Sequence, residues 1–279
     1  MRRLITFTFF LAITFHIQAQ YLEVGINGGA MSYIGDLQPN TPDTRSFGLS
    51  GGAYARYNFS PLFAAKFSGT YGQFVGADKY AYGSRKSRNL ESVTTIYEAA
   101  LTGEMNLTKF DIVDGRITAP YIFAGVAGFY FNPQVKVQGV LTDLQPLGTE
   151  GQLLNGGKGY SRFALSIPAG AGFKIAINRR VNVGFEFGFR YAFTDYLDDV
   201  SGNYPNIEEL AKQSTVAAAM SYRMPEYFNQ RLENPQGTPR GDKYKNDLYY
   251  QAGFTLSVNL ATKEKMEFNK EYRAFMKTQ

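Results

Sequence analysis

Val181-Asn182-Val183-Gly184-Phe185-Glu186-Phe187-Gly188-Phe189-Arg190-Tyr191-Ala192-Phe193 is the stretch that decides the fold of this 279-residue chain. Every odd position in it is large and apolar, whereas the even positions are small, polar or charged. A period of two residues is that of a β-strand, whose successive side chains point to opposite faces. The stretch therefore predicts a strand with one continuous apolar face.

The same alternation recurs along the chain. Seven further segments show it, at 22–26, 53–59, 63–71, 93–107, 121–131, 163–177 and 250–260. A tight turn, Asn178-Arg179-Arg180, separates the segment 163–177 from the strand over 181–193. Pro168 lies in the middle of one strand and predicts a bulge or a local break in pairing, because proline cannot donate a ladder hydrogen bond. Eight antiparallel strands are expected.

The two faces of these strands indicate the solvent. A soluble barrel turns its apolar face inward and covers the other face with charged residues. Across the last three strands that other face is mostly Gly, Ala, Ser, Thr, Asn and Gln, with Lys174, Glu186 and Arg190 as its charges. Small residues suit the interior of a narrow barrel, and a band of Phe, Tyr, Val and Leu suits lipid. The sequence predicts an eight-stranded antiparallel transmembrane β-barrel, with a soluble barrel as the alternative.

Charged residues on the inward face are mixed in sign. They are Arg56, Lys66, Glu98, Glu104, Lys174, Glu186 and Arg190. We interpret them as a salt-bridge network that fills the lumen; an ion path is the alternative. A carboxylate-only active site at Glu98 and Glu104 is a further alternative.

Connections alternate between long and short. The long ones are 32–46, 76–92, 132–160 and 194–247, and the short ones are near 60, 108–119 and 178–180. This asymmetry is typical of outer-membrane barrels, whose extracellular loops are long and whose periplasmic turns are short. It predicts that both termini are periplasmic. Within the longest loop, the spacing of Asn206 and Glu209 predicts a capped helical stretch over 206–222.

The first residues are typical of a secretory signal peptide. Arg2 and Arg3 precede an apolar run over 4–15, and Ala19 provides a small residue for cleavage. The run is shorter than the roughly 20 residues of a membrane-spanning helix. We expect a signal peptide over 1–19, a barrel over 20–261 and a charged periplasmic tail over 262–279, in an outer-membrane protein cleaved after Ala19.

Composition excludes most catalytic chemistry. The chain has no cysteine, and its single histidine, His16, lies in the segment expected to be removed. Nucleophiles that depend on histidine, thiolate zinc sites and imidazole-bound metals are therefore excluded. The small net charge of +5 does not favour nucleic acid. We expect no enzyme and no cofactor.

Asp195, Asp198 and Asp199 form an acidic trio in one loop. Carboxylates of this kind can bind Ca²⁺, although their spacing does not match an EF-hand. We interpret them as part of a solvated turn or of loop packing, with a calcium site as the alternative.

Three loop motifs resemble those of a known family. They are Tyr33-Ile34-Gly35-Asp36-Leu37, Asp143-Leu144-Gln145-Pro146-Leu147-Gly148-Thr149-Glu150-Gly151-Gln152 and Phe193-Thr194-Asp195-Tyr196-Leu197-Asp198-Asp199-Val200-Ser201. In this order they resemble the PorG-like outer-membrane proteins of Bacteroidetes, over essentially the whole mature chain.

The resemblance implies a structural role. It suggests a component of the type IX secretion and gliding machinery that anchors a ring of periplasmic lipoproteins. The contacts available for such a ring are the turns at Arg116 and at Arg179-Arg180, together with the tail over 263–279. The alternative is a generic barrel for surface contact or passive passage of small solutes.

Overall fold

A computed structural model describes residues 21–38, 44–81, 83, 85–112 and 114–260 of the chain. The expected signal peptide and the tail over 262–279 lie outside the described residues. Nine strands are described: β1 (Tyr21–Ile34), β2 (Phe47–Asn58), β3 (Phe63–Ala77), β4 (Glu91–Asn106), β5 (Thr118–Val137), β6 (Val140–Asp143), β7 (Phe163–Ala176), β8 (Val181–Ala192) and β9 (Leu248–Asn259). Four short helices lie in the loops: α1 (Arg85–Arg88), α2 (Ile207–Gln213), α3 (Thr215–Ser221) and α4 (Met224–Phe228).

Eight of these strands close into an antiparallel barrel. Their order is β4-β3-β2-β1-β9-β8-β7-β5, and β4 also pairs with β5, so the sheet returns to its start. The first and last strands meet, with Glu23 opposite Asn259 and Ile34 opposite Leu248. The predicted eight-stranded antiparallel barrel is confirmed. The remaining strand, β6, forms a hairpin with the end of β5 and was not predicted.

The ends of the barrel differ. The short connections 59–62, 107–117 and 177–180 lie at one end, which we call the short-turn end. The connections that follow β1, β3, β5 and β8 lie at the other, the long-loop end, where a core including Met31, Phe74 and Leu197 is buried. The described chain both begins and stops at the short-turn end, because Tyr21 pairs with Asn58 and β9 ends at Asn259.

Side chains alternate between the lumen and the outside. Phe254 is 72% exposed and Phe67 is 59% exposed on the outer face. Glu23, Arg56 and Glu104 are buried on the inner face. The outer surface of the barrel is therefore apolar and the inner surface carries charge.

The fifth predicted strand is the exception to this arrangement. The apolar residues that mark it are expected to face lipid, and that expectation is wrong. Tyr121, Phe123, Ala127, Phe129 and Phe131 mark that strand by their alternation, but they are buried inside the barrel. The residues between them, such as Ile122 and Val126, are exposed on the outside. Both faces of β5 are apolar, so its alternation does not reveal its orientation. Pairing does, because Phe123 lies opposite the inward-facing Glu104 and so shares its face.

Pro168 breaks the ladder on one side only. Pairing of β5 with β7 joins Ala124 to Ala169 and resumes at Ala127 and Ser166, so Pro168 is skipped without a change of register. On its other side Pro168 pairs with Arg190 in an uninterrupted ladder. The expected local break is therefore present and no bulge accompanies it.

The expected helical stretch in the longest loop is present as two helices. The Asn206 side chain caps α2 by accepting hydrogen bonds from the backbone N–H groups of Glu208 and Glu209. Ser214 separates α2 from α3 and caps α3 through Ala217. Within the part of the chain that the structure describes, no helix is long and apolar enough to cross a membrane.

Candidate functional site

A buried ionic network crosses the lumen. Glu23 contacts Arg56 at 2.6 Å, and the Nε atom of Arg56 lies 2.8 Å from Glu104. Glu104 is also 3.6 Å from the Lys66 Nζ and 3.7 Å from the Lys174 Nζ. Lys66 continues the chain of contacts to Glu186 at 2.5 Å. Three carboxylates and three cations thus balance each other in what we call the lumen network: Glu23, Arg56, Lys66, Glu104, Lys174 and Glu186.

Two more of the predicted inward charges form a separate pair towards the long-loop end. The Arg190 Nε lies 3.4 Å from Glu98, and the Tyr249 hydroxyl donates to Glu98 at 2.5 Å. Arg190 also donates to Gln251. The structure places all seven predicted residues inside the barrel and adds Glu23, which was missed. Its signal was available, since Glu23 lies between Leu22 and Val24 in an alternating strand.

The carboxylates considered for catalysis do not form one site. Glu104 is held by Arg56, Lys66 and Lys174, whereas Glu98 is held by Arg190 and Tyr249. An acid and a base that act together need a shared substrate position. The arrangement instead fits a filled interior.

The three loop motifs meet over the long-loop end. From the first motif, the Tyr33 hydroxyl and the Leu37 N–H both donate to the same oxygen of Asp198, each at 2.9 Å. From the second, Thr149 donates to Asp199 at 2.5 Å. Segments more than a hundred residues apart in sequence are therefore joined through adjacent aspartates of the third motif. We call this assembly of loops after β1, β3, β5 and β8 the loop cap.

Other motif residues support the same assembly. Asp143 accepts hydrogen bonds from Asn132 and Gln134, and Gln145 donates to the Tyr160 carbonyl. Pro146 lies in a single 3₁₀ turn that ends at Gly148, whose φ is 60°. A left-handed φ favours glycine, which explains that residue at the end of the turn. Tyr196 stacks on Tyr160 with ring centroids 4.3 Å apart.

Two buried arginines hold the loop cap together. Arg88 binds Asp78 through two nitrogens, at 2.8 and 2.6 Å. Arg240 contacts Glu150 at 3.0 Å and Asp199 at 3.6 Å. Neither arginine could be identified from the sequence, because each lies in a loop without periodicity.

Burial also perturbs the aspartates of the cap. It raises the pKa of Asp195 to about 8 and that of Asp198 to about 7, and neighbouring carboxylates add to both shifts. The pKa of Asp199 rises to about 6, because burial outweighs the stabilising effect of Arg240. Asp247 has its pKa raised well above its usual value, first by burial and then by Asp198.

Asp195, Asp198 and Asp199 do not converge on one point. Asp198 accepts from Tyr33 and Asp199 from Thr149, and neither of these bonds involves Asp195. Among the described residues, no group of three or more Asp, Glu, His or Cys side chains is arranged to hold a metal ion. The structure thus favours loop packing for Asp198 and Asp199.

Comparisons with known proteins give one family. The family model described as "Domain of unknown function (DUF6089)" matches residues 2–215. No curated protein matches the sequence.

Several solved structures are similar at low identity. Neisserial surface protein A (NspA) has a TM-score of 0.42 and 10% identity, and the alignment covers 85% of this chain and 96% of that one. OprG of Pseudomonas aeruginosa has a TM-score of 0.37 and 11% identity, covering 86% and 98%. Ail of Yersinia pestis, in complex with a heparin analogue, has a TM-score of 0.37 and 7% identity, covering 86% and 97%.

Proposed function

We propose that this chain, which belongs to the DUF6089 family, spans the bacterial outer membrane as a filled barrel with a structural role, and is neither an open channel nor an enzyme. The lumen network is the observation that carries this proposal. Six charged side chains, joined through contacts of 2.5 to 3.7 Å, occupy the space that a channel would leave to water.

The outer face supports the membrane part of the proposal. Its exposed residues on adjacent strands are large and apolar, as at Phe67, Leu101, Val126, Leu165 and Phe254. Water disfavours so large a continuous apolar surface, whereas the hydrocarbon core of a bilayer favours it. Every spanning strand has a partner on both sides, as lipid requires.

The filled lumen and the loop cap support a structural role. A barrel of eight strands is just wide enough for its interior side chains. Here charged groups fill the middle, and Tyr33, Phe74 and Leu197 bury a core beneath the cap. The surfaces that remain for function are the loops and the short turns.

The finer proposal is a component of the type IX secretion machinery that anchors a periplasmic ring. It rests on the resemblance of the three loop motifs to PorG-like proteins. Arg116, Arg179 and Arg180 are exposed at the short-turn end, on the side that a periplasmic partner would meet. The motifs themselves lie in the loop cap, at the opposite end of the barrel from these turns. They therefore support an architecture shared with PorG-like proteins more directly than they support binding of a ring.

Deletion in the native host tests the secretion role. We expect reduced secretion of type IX cargo, and we expect the tagged barrel to retain periplasmic ring lipoproteins in a pulldown. Replacing Arg179 and Arg180 by glutamate should weaken that retention, while Arg223→Glu in the loop cap should not. Normal secretion together with a pulldown free of ring components would contradict the role.

A second candidate function is contact at the cell surface. The loop cap favours it, because its helices α2 and α3 bury their own small core around Leu210, Ala217 and Ala218. An ordered surface of this kind suits recognition of a partner better than it suits the passage of solutes. Unchanged cell adhesion after deletion would contradict this alternative.

A further inference from the structure

A small cavity opens in the loop cap beside the first strand. Its volume is 160 Å³. The chain just after β1 forms one wall, the loop after β8 another, and the residues just before β9 a third. None of the ionic contacts in the lumen network involves these walls.

Acidic side chains dominate the cavity wall. Four carboxylates and two cations line it: Asp36, Asp195, Asp242, Asp247, Arg85 and Lys245. The Lys245 side chain is 83% exposed and pairs with Asp242 at 3.4 Å. Arg85 donates to the Asp36 backbone carbonyl. Among the described residues, no cation makes an ion pair with Asp195 or Asp247.

Two buried carboxylate oxygens in this wall accept no hydrogen bond of ordinary geometry, although the Ser201 side chain is near enough to Asp195 to offset part of the rise that burial causes in its pKa. They are Asp247 Oδ1 and Asp195 Oδ2. Asp247 is 1% exposed and Asp195 is 7% exposed, so both carboxylates are closed to bulk solvent and face the cavity wall instead. The other oxygen of Asp247 accepts from the Leu197 N–H at 2.8 Å, which fixes the carboxylate in place. Other buried carboxylates with unbonded oxygens, such as Glu98 and Glu104, make ion pairs, whereas Asp195 and Asp247 make none among the described residues. That difference indicates an absent donor or ion.

Gly35 leaves the space that one of these oxygens occupies. A Cβ atom at residue 35 would lie 2.3 Å from Asp247 Oδ1. Because that separation is far below van der Waals contact, any larger residue would displace the carboxylate from the cavity wall. The glycine of the first motif is thereby tied to the position of Asp247.

We propose that this cavity binds a hydrated divalent cation of the Mg²⁺ type through Asp195 and Asp247. Hard cations prefer oxygen ligands, and Mg²⁺ commonly keeps several waters while using one or two carboxylates. A volume of 160 Å³ holds about five water-sized units of roughly 30 Å³. Ca²⁺ takes six to eight oxygens and is less well matched to two carboxylates.

Thermal unfolding of the full chain in detergent micelles tests the site. MgCl₂ should raise the unfolding midpoint above that in NaCl of equal ionic strength, since a ligand bound only by the folded state stabilises it. Asp195→Asn and Asp247→Asn should each abolish the difference. Asp143→Asn is the matched control, because Asp143 lies in the same cap but pairs with Arg162. Its Mg²⁺ response should stay as in the unsubstituted chain.

Direct binding of Mn²⁺, a substitute for Mg²⁺ visible by electron paramagnetic resonance, keeps the proposal testable if a variant folds poorly. We expect one equivalent bound by the unsubstituted chain and by Asp143→Asn, competed away by Mg²⁺. No bound Mn²⁺, or binding that persists in both Asp195→Asn and Asp247→Asn, would overturn the site. Equal stabilisation by methylammonium would overturn the choice of a metal ion.

Discussion

Replacing Glu104 by glutamine should unbalance the lumen network. The side chain is fully buried and contacts Arg56, Lys66 and Lys174 at 2.8, 3.6 and 3.7 Å. At an effective dielectric constant of about 20, these distances correspond to attractions of about 6, 4.5 and 4.5 kcal/mol. Desolvation and repulsion among the cations offset most of this sum. Breaking a buried pair by removing one partner costs about 3 to 5 kcal/mol, which is the destabilisation we expect.

A double substitution separates charge balance from simple loss of contacts. Lys174→Met alone leaves one excess negative charge and should also cost about 3 to 5 kcal/mol. Combined with Glu104→Gln it restores neutrality, because two cations then face two carboxylates. We expect the double variant to lose less than the sum of the single variants, with a coupling of at least about 1 kcal/mol.

Urea unfolding of the protein in lipid vesicles measures these free energies, with the folded fraction read from the faster-migrating band on unheated gels. Glu226→Gln is the control, since Glu226 is half exposed where it pairs with Arg223 and should contribute no more than about 1 kcal/mol. Strictly additive losses in the double variant would refute the reasoning, as would a loss at Glu104 no larger than at Glu226.

Three other predictions concern the lumen, the cap and pH. Purified protein in planar bilayers should give no large, steady conductance, and a stable open level would contradict the filled lumen. Gly76→Ala should destabilise the protein by about 1 to 3 kcal/mol, because the added Cβ would lie 2.0 Å from the Tyr33 hydroxyl. Gly69→Ala on the same strand is the control, since its Cβ would meet nothing within 4 Å. Equal unfolding midpoints for the two variants would contradict the prediction. The pKa of Asp199 is raised to about 6 from an ordinary 3.8, so the folded state holds this proton more tightly than the unfolded state does. The free energy of unfolding should therefore fall by at most about 3 kcal/mol as the pH rises from about 4 to 6. Melts followed by circular dichroism should show a flatter pH profile for Asp199→Asn, and an unchanged profile would contradict the shift.

The barrel could be predicted from sequence because its signal is periodic. In β8 every odd residue from Val181 to Tyr191 is apolar, and the ladder pairs β8 with β7 and β9 in that phase. Inward charges such as Glu186 and Arg190 interrupt the small residues of the other face, so they could be identified individually. The sequence could not show which cation meets which carboxylate, because register between strands depends on pairing.

β5 shows where periodicity fails. Its two faces are both apolar, with Phe123 and Phe129 inside and Ile122 and Val126 outside. Hydrophobicity alone assigns the larger aromatic residues to lipid. The orientation follows only from pairing with β4, which places Phe123 opposite Glu104.

The loop cap was beyond sequence reasoning for a different reason. Its contacts join residues far apart in sequence, such as Arg240 with Glu150 and Asp36 with the Asp242 N–H. Loops carry no period, so single residues there give no sign of their partners. The acidic trio stands out as a motif, whereas no motif marks Asp247, which precedes β9 and lines the cavity with Asp195.

The most direct test of the central claim, that the apolar outer face lies in lipid, is quenching of a single tryptophan by brominated phospholipids. The chain has no native tryptophan, so Phe254→Trp reports the middle of β9, where Phe254 is 72% exposed. Tyr244→Trp, at a position 85% exposed in the loop cap, is the matched control. With bromine in the middle of the acyl chains, strong quenching at position 254 and little at position 244 is the predicted result. Equal quenching at the two positions, or none at 254, would contradict the account.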